Sequence, residues 1–191
     1  MKHILFFLIL ILPSFVFLAE WQLISDLSVR KIKKIAKFAT EVAERDFPKI
    51  PYYLIRGYSY IYKGENYYFV YAMYDQTKND IFFYFIFIEF HEDIGHSTMQ
   101  VYQKYIEKKT RNVNMHHHFF ILFQPAVIAY LYEKEKVIVD YIEEIKQYQN
   151  CFSIVAKTNT GYDYYVAGWK EQHSSLKDDN IILTAYFKIK N

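Results

Sequence analysis

The sequence holds one cysteine, Cys151, among 191 residues, so no disulfide can form within the chain and packing alone must hold a fold together. Glycine and proline are scarce, with 5 and 4 residues, which excludes a flexible low-complexity or collagen-like chain. Neither charge sign dominates: 23 basic residues stand against 21 acidic ones, a formal net charge of +2. Without a basic stripe there is no electrostatic footprint for nucleic acid, and none is expected as a partner. No Asn-x-Ser/Thr acceptor, glycine-rich phosphate loop, serine elbow or zinc-protease signature occurs. The expectation is therefore a protein that is no enzyme and needs no cofactor.

What is abundant is aromatic. Tyr and Phe number 20 and 17, a composition that favours packed sheet. Residues 1–19 read as a secretory signal: Lys2 at the start, an apolar run over 4–12, Pro13, and Ala19 as the last residue before cleavage. The run falls short of the roughly 20 apolar residues that span a bilayer, so the alternative of an uncleaved anchor is disfavoured. The expected product is secreted, to the extracellular space or a vacuolar lumen, with no membrane association after cleavage.

Residues 58–75 carry the clearest local signal. Large apolar or aromatic side chains alternate on both sides of Lys63-Gly64, the pattern of two antiparallel strands sharing a hairpin. Before it, residues 21–26 suit an edge strand. A helix follows, with Ser28 as its cap and Val29, Ile32, Ile35, Ala36, Ala39 and Val42 on one face; Arg30, Lys33, Lys34 and Lys37 face away, and Pro48 and Pro51 close it. Strands are expected over 52–62, 65–74 and 80–90, then a turn-rich loop over 91–97, a strand or short helix over 99–106, and a polar linker over 107–114. One helix followed by a meander is an α+β layout in which the sheet covers the helix.

The pattern then recurs. Residues 118–123 form a short apolar run, and Pro125 suits the first turn of a second helix. Val127, Leu131, Val137, Ile138, Tyr141, Ile142 and Ile145 mark its face, with strands over 152–156, 162–170 and 181–189. Gly64-Glu65-Asn66-Tyr67-Tyr68 aligns with Gly161-Tyr162-Asp163-Tyr164-Tyr165, an offset of 161 − 64 = 97 residues. The same offset sets 21–26 against 118–123. The expectation is two copies of one unit, residues 20–114 and 115–191, the second lacking the last strand of the first.

Residues 20–90 resemble the cystatin family, inhibitors of papain-like cysteine proteases, and particularly its cysteine-poor plant branch. Ile35-Ala36-Lys37-Phe38-Ala39 is similar to the Leu-Ala-Arg-Phe-Ala helix signature, and Trp21-Gln22-Leu23-Ile24 resembles the Trp-x-Pro-Ile start. Gly64-Glu65-Asn66-Tyr67 and Ala72-x-x-Asp75 resemble the Gly-x-Asn-Tyr strand and its end. The resemblance implies a cystatin-like fold, an antiparallel sheet wrapped around one helix. It also implies a papain-like protease as partner, inhibited by reversible occlusion of the active-site cleft. The contacts carried over are Trp21, then Tyr60, Ile61, Tyr62, Lys63 and Gly64 in the first hairpin, and His91, Glu92, Asp93, Ile94 and Gly95 in the second loop. The chain departs from the family in having Tyr60 and Tyr62 in place of the Gln and Val of Gln-x-Val-x-Gly. It also has no glycine beside Trp21 and no Pro-Trp in the second loop. The alternative is a non-inhibitory cystatin-like module binding another protein through tyrosines. Aromatic edges also suit a homodimer made by domain swapping or edge pairing.

Three constellations carry less. His116-His117-His118 lacks nearby Cys or carboxylate ligands and reads as part of a polar linker, not a metal site. Cys151, Asp163 and His173 supply the residue types of a thiol nucleophile without any signature, and Cys151 reads as a small buried residue at a strand start. Glu133, Glu135, Glu143 and Glu144 read as the solvated side of a helix.

Overall fold

The computed structural model describes residues 21–61, 64–93, 95–106, 111–112, 118–148, 150–171 and 180–191. The segment expected as a leader, with its expected cleavage site, and Tyr62, Lys63, Ile94, His116, His117 and His173 lie outside them. The first half runs β1 (Gln22–Leu23), α1 (Arg30–Asp46), β2 (Tyr52–Ile61), β3 (Glu65–Asp75), β4 (Asp80–Asp93) and β5 (His96–Ile106). The second runs β6 (Arg111–Asn112), α2 (His118–Glu135), β7 (Val139–Tyr148), β8 (Cys151–Thr158), β9 (Tyr162–Glu171) and β10 (Asn180–Lys190). The result is α+β, with two antiparallel five-stranded sheets, β1-β2-β3-β4-β5 and β6-β7-β8-β9-β10.

The first helix forms as its periodicity predicts. Ile35, Ala36, Ala39, Val42 and Ala43 are buried and meet Phe69, Tyr71, Met73, Ile86 and Ile88 on one face of the first sheet. The cap differs from expectation. Val29, whose side chain has no polar atom, occupies the N-cap without a side-chain bond, and Ser28 lies one position before it with its N–H donating to Asp26 Oδ1 at 2.7 Å. The helix stops where the Phe47 N–H reaches the Ala43 carbonyl at 2.9 Å and Lys49 turns left-handed.

The opposite face of the first sheet is buried too. Val70, Ala72, Tyr74, Ile81, Phe83 and Phe85 pack directly on Val155, Tyr165, Ala167, Trp169, Ala185 and Phe187 of the second sheet. The outer face of that second sheet is covered by α2 through Phe123, Val127 and Leu131. The layers thus run helix, sheet, sheet, helix. A strand buried on both faces reads as a continuous apolar run, which is why β3 is aromatic or aliphatic at nearly every position.

The second half corrects several expectations. The helical face expected to reach Ile145 ends at Glu135, and residues 139–148 form β7. Two register shifts, between Val139 and Tyr141 and between Ile142 and Glu144, leave Val139, Ile142 and Ile145 as its buried residues. Bulges thereby give a strand a three-residue period that imitates a helix. Residues 118–123, expected as an apolar run of their own, belong to α2, so Pro125 is an interior position and not a first-turn one. Glu143 and Glu144 lie on this strand and pair with Lys157 and Lys146, both at 3.1 Å. With β7 the second half has a fourth long strand where only three were expected, the strand expected over 181–189 is β10, and residues 91–93 and 96–97 continue β4 and β5 where a loop was expected.

The offset of 97 also fails. It sets Gly161, which precedes the third long strand after its helix, against Gly64, which precedes the second. Tyr67 and Tyr164 therefore occupy different places in their sheets.

Candidate functional site

The hydrogen-bonding register gathers the expected contact residues at one end of the first sheet. Ile61 faces Glu65 across β2 and β3, Glu65 faces Phe90 across β3 and β4, and Asp93 faces His96 at the tip between β4 and β5. Both hairpin tips therefore point the same way, and the turn at residues 76–79 points the opposite way. Trp21 joins them because β1 pairs Gln22 with Ser59 and Leu23 with Tyr58. Its ring centroid lies 5.5 Å from Tyr60, 5.8 Å from Tyr68 and 6.0 Å from Phe87.

Gly64 is the tightest point. Its φ of 131° is one that side chains rarely adopt, and a Cβ there would stand 3.1 Å from His91 Cε1. The first hairpin therefore leans on the second at a glycine. His91 Nε2 in turn lies 2.9 Å from Glu89 Oε1. Gly95, at φ 89°, has open space around it.

A charged brace ties the tips to the helix. Lys31, in the first turn of α1, reaches Glu65 at 2.8 Å and Glu92 at 3.2 Å and lies 5.0 Å from the centre of the Phe90 ring. The bond to Glu65 raises the Lys31 pKa. Tyr67 donates to the other Glu65 oxygen at 2.9 Å, and burial first, then this bond, raise its phenol. Exposed ion pairs of this kind contribute about 1 kcal/mol or less, so the brace positions more than it stabilises.

The surface that results has chemistry of one kind. Ile61 is 80% exposed at the outermost pair of the first hairpin, with Trp21 exposed beside it and Tyr60 half-buried beneath Trp21. Among the described residues no three His, Cys, Asp or Glu converge to hold a metal. Cys151 is fully buried between the sheets, at the opposite end of the β8–β9 ladder from Asp163. Asp163 is paired instead with Lys157 at 2.5 Å. The arrangement can present an apolar projection to a cleft, and among the described residues Cys151 and Asp163 are not brought together.

Phe87, Glu89 and Lys31 also meet these residues and were not singled out in the sequence, while Glu65 and Tyr68 stood there only as part of a strand motif. Phe85, Phe87 and Glu89 share one face of β4 by simple alternation, a signal that was present but pointed equally to core. Among the described residues no helix is long and apolar enough to cross a membrane. No family model matches the chain, and no curated protein matches it significantly.

Proposed function

We propose that the chain is two tandem cystatin-like units and that the first inhibits papain-like cysteine proteases by reversible occlusion of the active-site cleft. The observation that carries this reading is the convergence of Trp21, Ile61, Gly64 and His91 at one end of one sheet. Residues such as Ile61 and His91 are held in the sheet and lose little conformational freedom on docking, and an exposed aliphatic residue at the leading edge supplies apolar area to bury.

Duplication is supported by element order, each half reading short strand, helix and four long strands. The matching offset is 139 − 52 = 87 residues at the first long strand of each half. Because β6 pairs with β7, the boundary of the units falls between β5 and β6. The second unit turns its hairpin at Gly161 with polar Thr158 and Thr160, and serves as the platform on which the first is mounted.

Inhibition is tested by titrating a papain-like protease with the protein and following hydrolysis of a small fluorogenic substrate. Complete inhibition at or below micromolar protein is expected, weakened at least tenfold by Ile61→Asp. Uninhibited hydrolysis at micromolar protein overturns the reading. One observation favours a second reading, a non-inhibitory protein-binding module: Tyr60, which stands in place of the family's Gln, is half-buried beneath Trp21. Retention of a protease whose active site still turns over substrate would select it.

A further inference from the structure

Among the described residues, β10 has a neighbour on one side only. The Asn191 N–H donates to the Gly161 carbonyl at 3.0 Å, continuing the register in which Lys190 faces Tyr162. Bonded and open pairs alternate along an antiparallel ladder. Ala185, Phe187 and Ile189 therefore direct their backbone groups to β9, while Tyr186, Lys188 and Lys190 turn theirs outward.

A cleft of about 510 Å³ follows this edge, lined along its length by residues 184–189. Tyr130 and Lys134 of α2 form one wall, and Pro51 and Tyr53 at the start of β2 form the other. Six residues of strand span roughly 20 Å. Thr184 sits at the register shift between Leu183 and Ala185, and its Oγ1 is buried without a hydrogen-bond partner among the described residues. Outward amides and carbonyls, in a slot walled on both flanks, are the complement of one extended backbone. The helix and sheet behind the edge strand of a second copy would have to pass α2 and Tyr53.

We propose that this cleft binds an extended segment of a partner protein, which adds to β10 as a further strand. Its side-chain preferences follow from alternation. A residue opposite Phe187 points toward Tyr53, whose ring centre is 5.3 Å from that of Phe187, and toward Tyr74 at 5.5 Å; a large apolar side chain belongs there. A residue opposite Lys188 shares its face with Lys188 and looks toward Lys134. Glu135 is held by Tyr186 and Lys188 and Lys134 pairs with Glu133 at 3.4 Å; that exposed pair contributes about 1 kcal/mol or less, so an acidic guest residue can compete for Lys134. Tyr53 is the second residue of β2 and Ile61 the last, so this site lies at the opposite end of the first sheet from the hairpin tips and is independent of protease inhibition.

The probe is a blocked, fluorescein-labelled octapeptide of alternating valine and threonine with glutamate directly before a central phenylalanine. Its anisotropy is followed against the purified protein expressed from its full sequence. Saturable binding in the micromolar range is expected. N-methylation of one alternate set of peptide amides should abolish it, and of the other set should leave it within threefold. Tyr53→Ala, a half-exposed position, should weaken binding at least fivefold with an unchanged circular dichroism spectrum. Absence of binding at millimolar peptide, or equal tolerance of both methylation patterns, overturns the proposal. So does sedimentation as a dimer that the peptide fails to dissociate, since a second copy then occupies the edge.

Discussion

The two helices occupy matching places, each on the outer face of a five-stranded sheet, yet they present different surfaces to solvent. The outward side of α1 carries Arg30, Lys33, Lys34 and Lys37. The outward side of α2 carries Ile128, Ala129 and Tyr132, with Ile138 and Tyr141 exposed beside it on the β7 side. The inward stripes are alike, Ile35, Ala39 and Val42 in one and Phe123, Val127 and Leu131 in the other. Folding therefore constrains only the stripe, and the remaining circumference of each helix is free to diverge.

The largest test of this comparison asks whether the halves are independent at all. The chain has two tryptophans, Trp21 at the tips of the first sheet and Trp169 in the layer between sheets. If the shared layer dominates, fluorescence of single-tryptophan variants Trp21→Phe and Trp169→Phe will follow one common urea transition. Phe83→Ala, which empties a fully buried site in that layer, should lower stability by about 3–5 kcal/mol for both probes together. Two separated transitions would show that the halves fold apart.

Two hairpin glycines sharpen the contrast next. Gly64→Ala forces a side chain into φ 131° and against His91, whereas Gly161 at φ 78° has nothing within 4 Å. The first should cost about 2 kcal/mol and the second about 1 kcal/mol in urea unfolding; equal losses would remove the special status of the first hairpin.

Alkali offers a third test. Burial pushes the Tyr74 phenol up to about 12, and the bond to Glu135, with burial second, does the same for Tyr186. Both stand above the ordinary value of 10.0. A group that holds its proton more tightly when folded contributes stability below pH 10, and that contribution is lost as pH rises toward 12. The urea midpoint should fall across that window, and less steeply in Tyr74→Phe. Tyr74 lies in the layer between sheets and Tyr186 under α2, so Tyr74→Phe and Tyr186→Phe apportion the loss between them.

The smallest effect concerns α2 alone. Bonds from Tyr186 and Lys188 hold Glu135 below the usual 4.5. That favours the folded form above the usual value, and the benefit is lost as pH falls through the folded one. Glu135→Gln should cost roughly 0.5 kcal/mol at neutral pH and flatten the acid limb of the stability profile.

Much of the first half was legible because its signals are local. Alternation gave β2, β3 and β4, and residues 35, 36, 39 and 42 gave α1. In the second half local signals misled: the bulges of β7 mimic a helix, and α2 is apolar all round, so no stripe marked its start before Pro125. The stacking of the sheets was written in the two-sided burial of β3 but was read as a meander over one helix. Of the expected contacts, those among the described residues lie together because the β2–β3 and β4–β5 hairpins turn at the same end of the sheet. The brace of Lys31 on Glu65 and Glu92 joins residues 34 and 61 positions apart, a distance that spacing in the sequence does not encode.

Every long strand in either sheet is hydrogen-bonded to its neighbour in the chain. Each sheet can therefore zip up from short hairpins with little loop to close, and non-local order enters only when the two finished sheets dock. Folding should be quick at the hairpin stage and limited by that docking. During synthesis the first sheet would emerge complete while its aromatic inner face still awaits the second. That interval, before Phe83 and Phe85 find Trp169 and Tyr148, is when the nascent chain is most prone to aggregate.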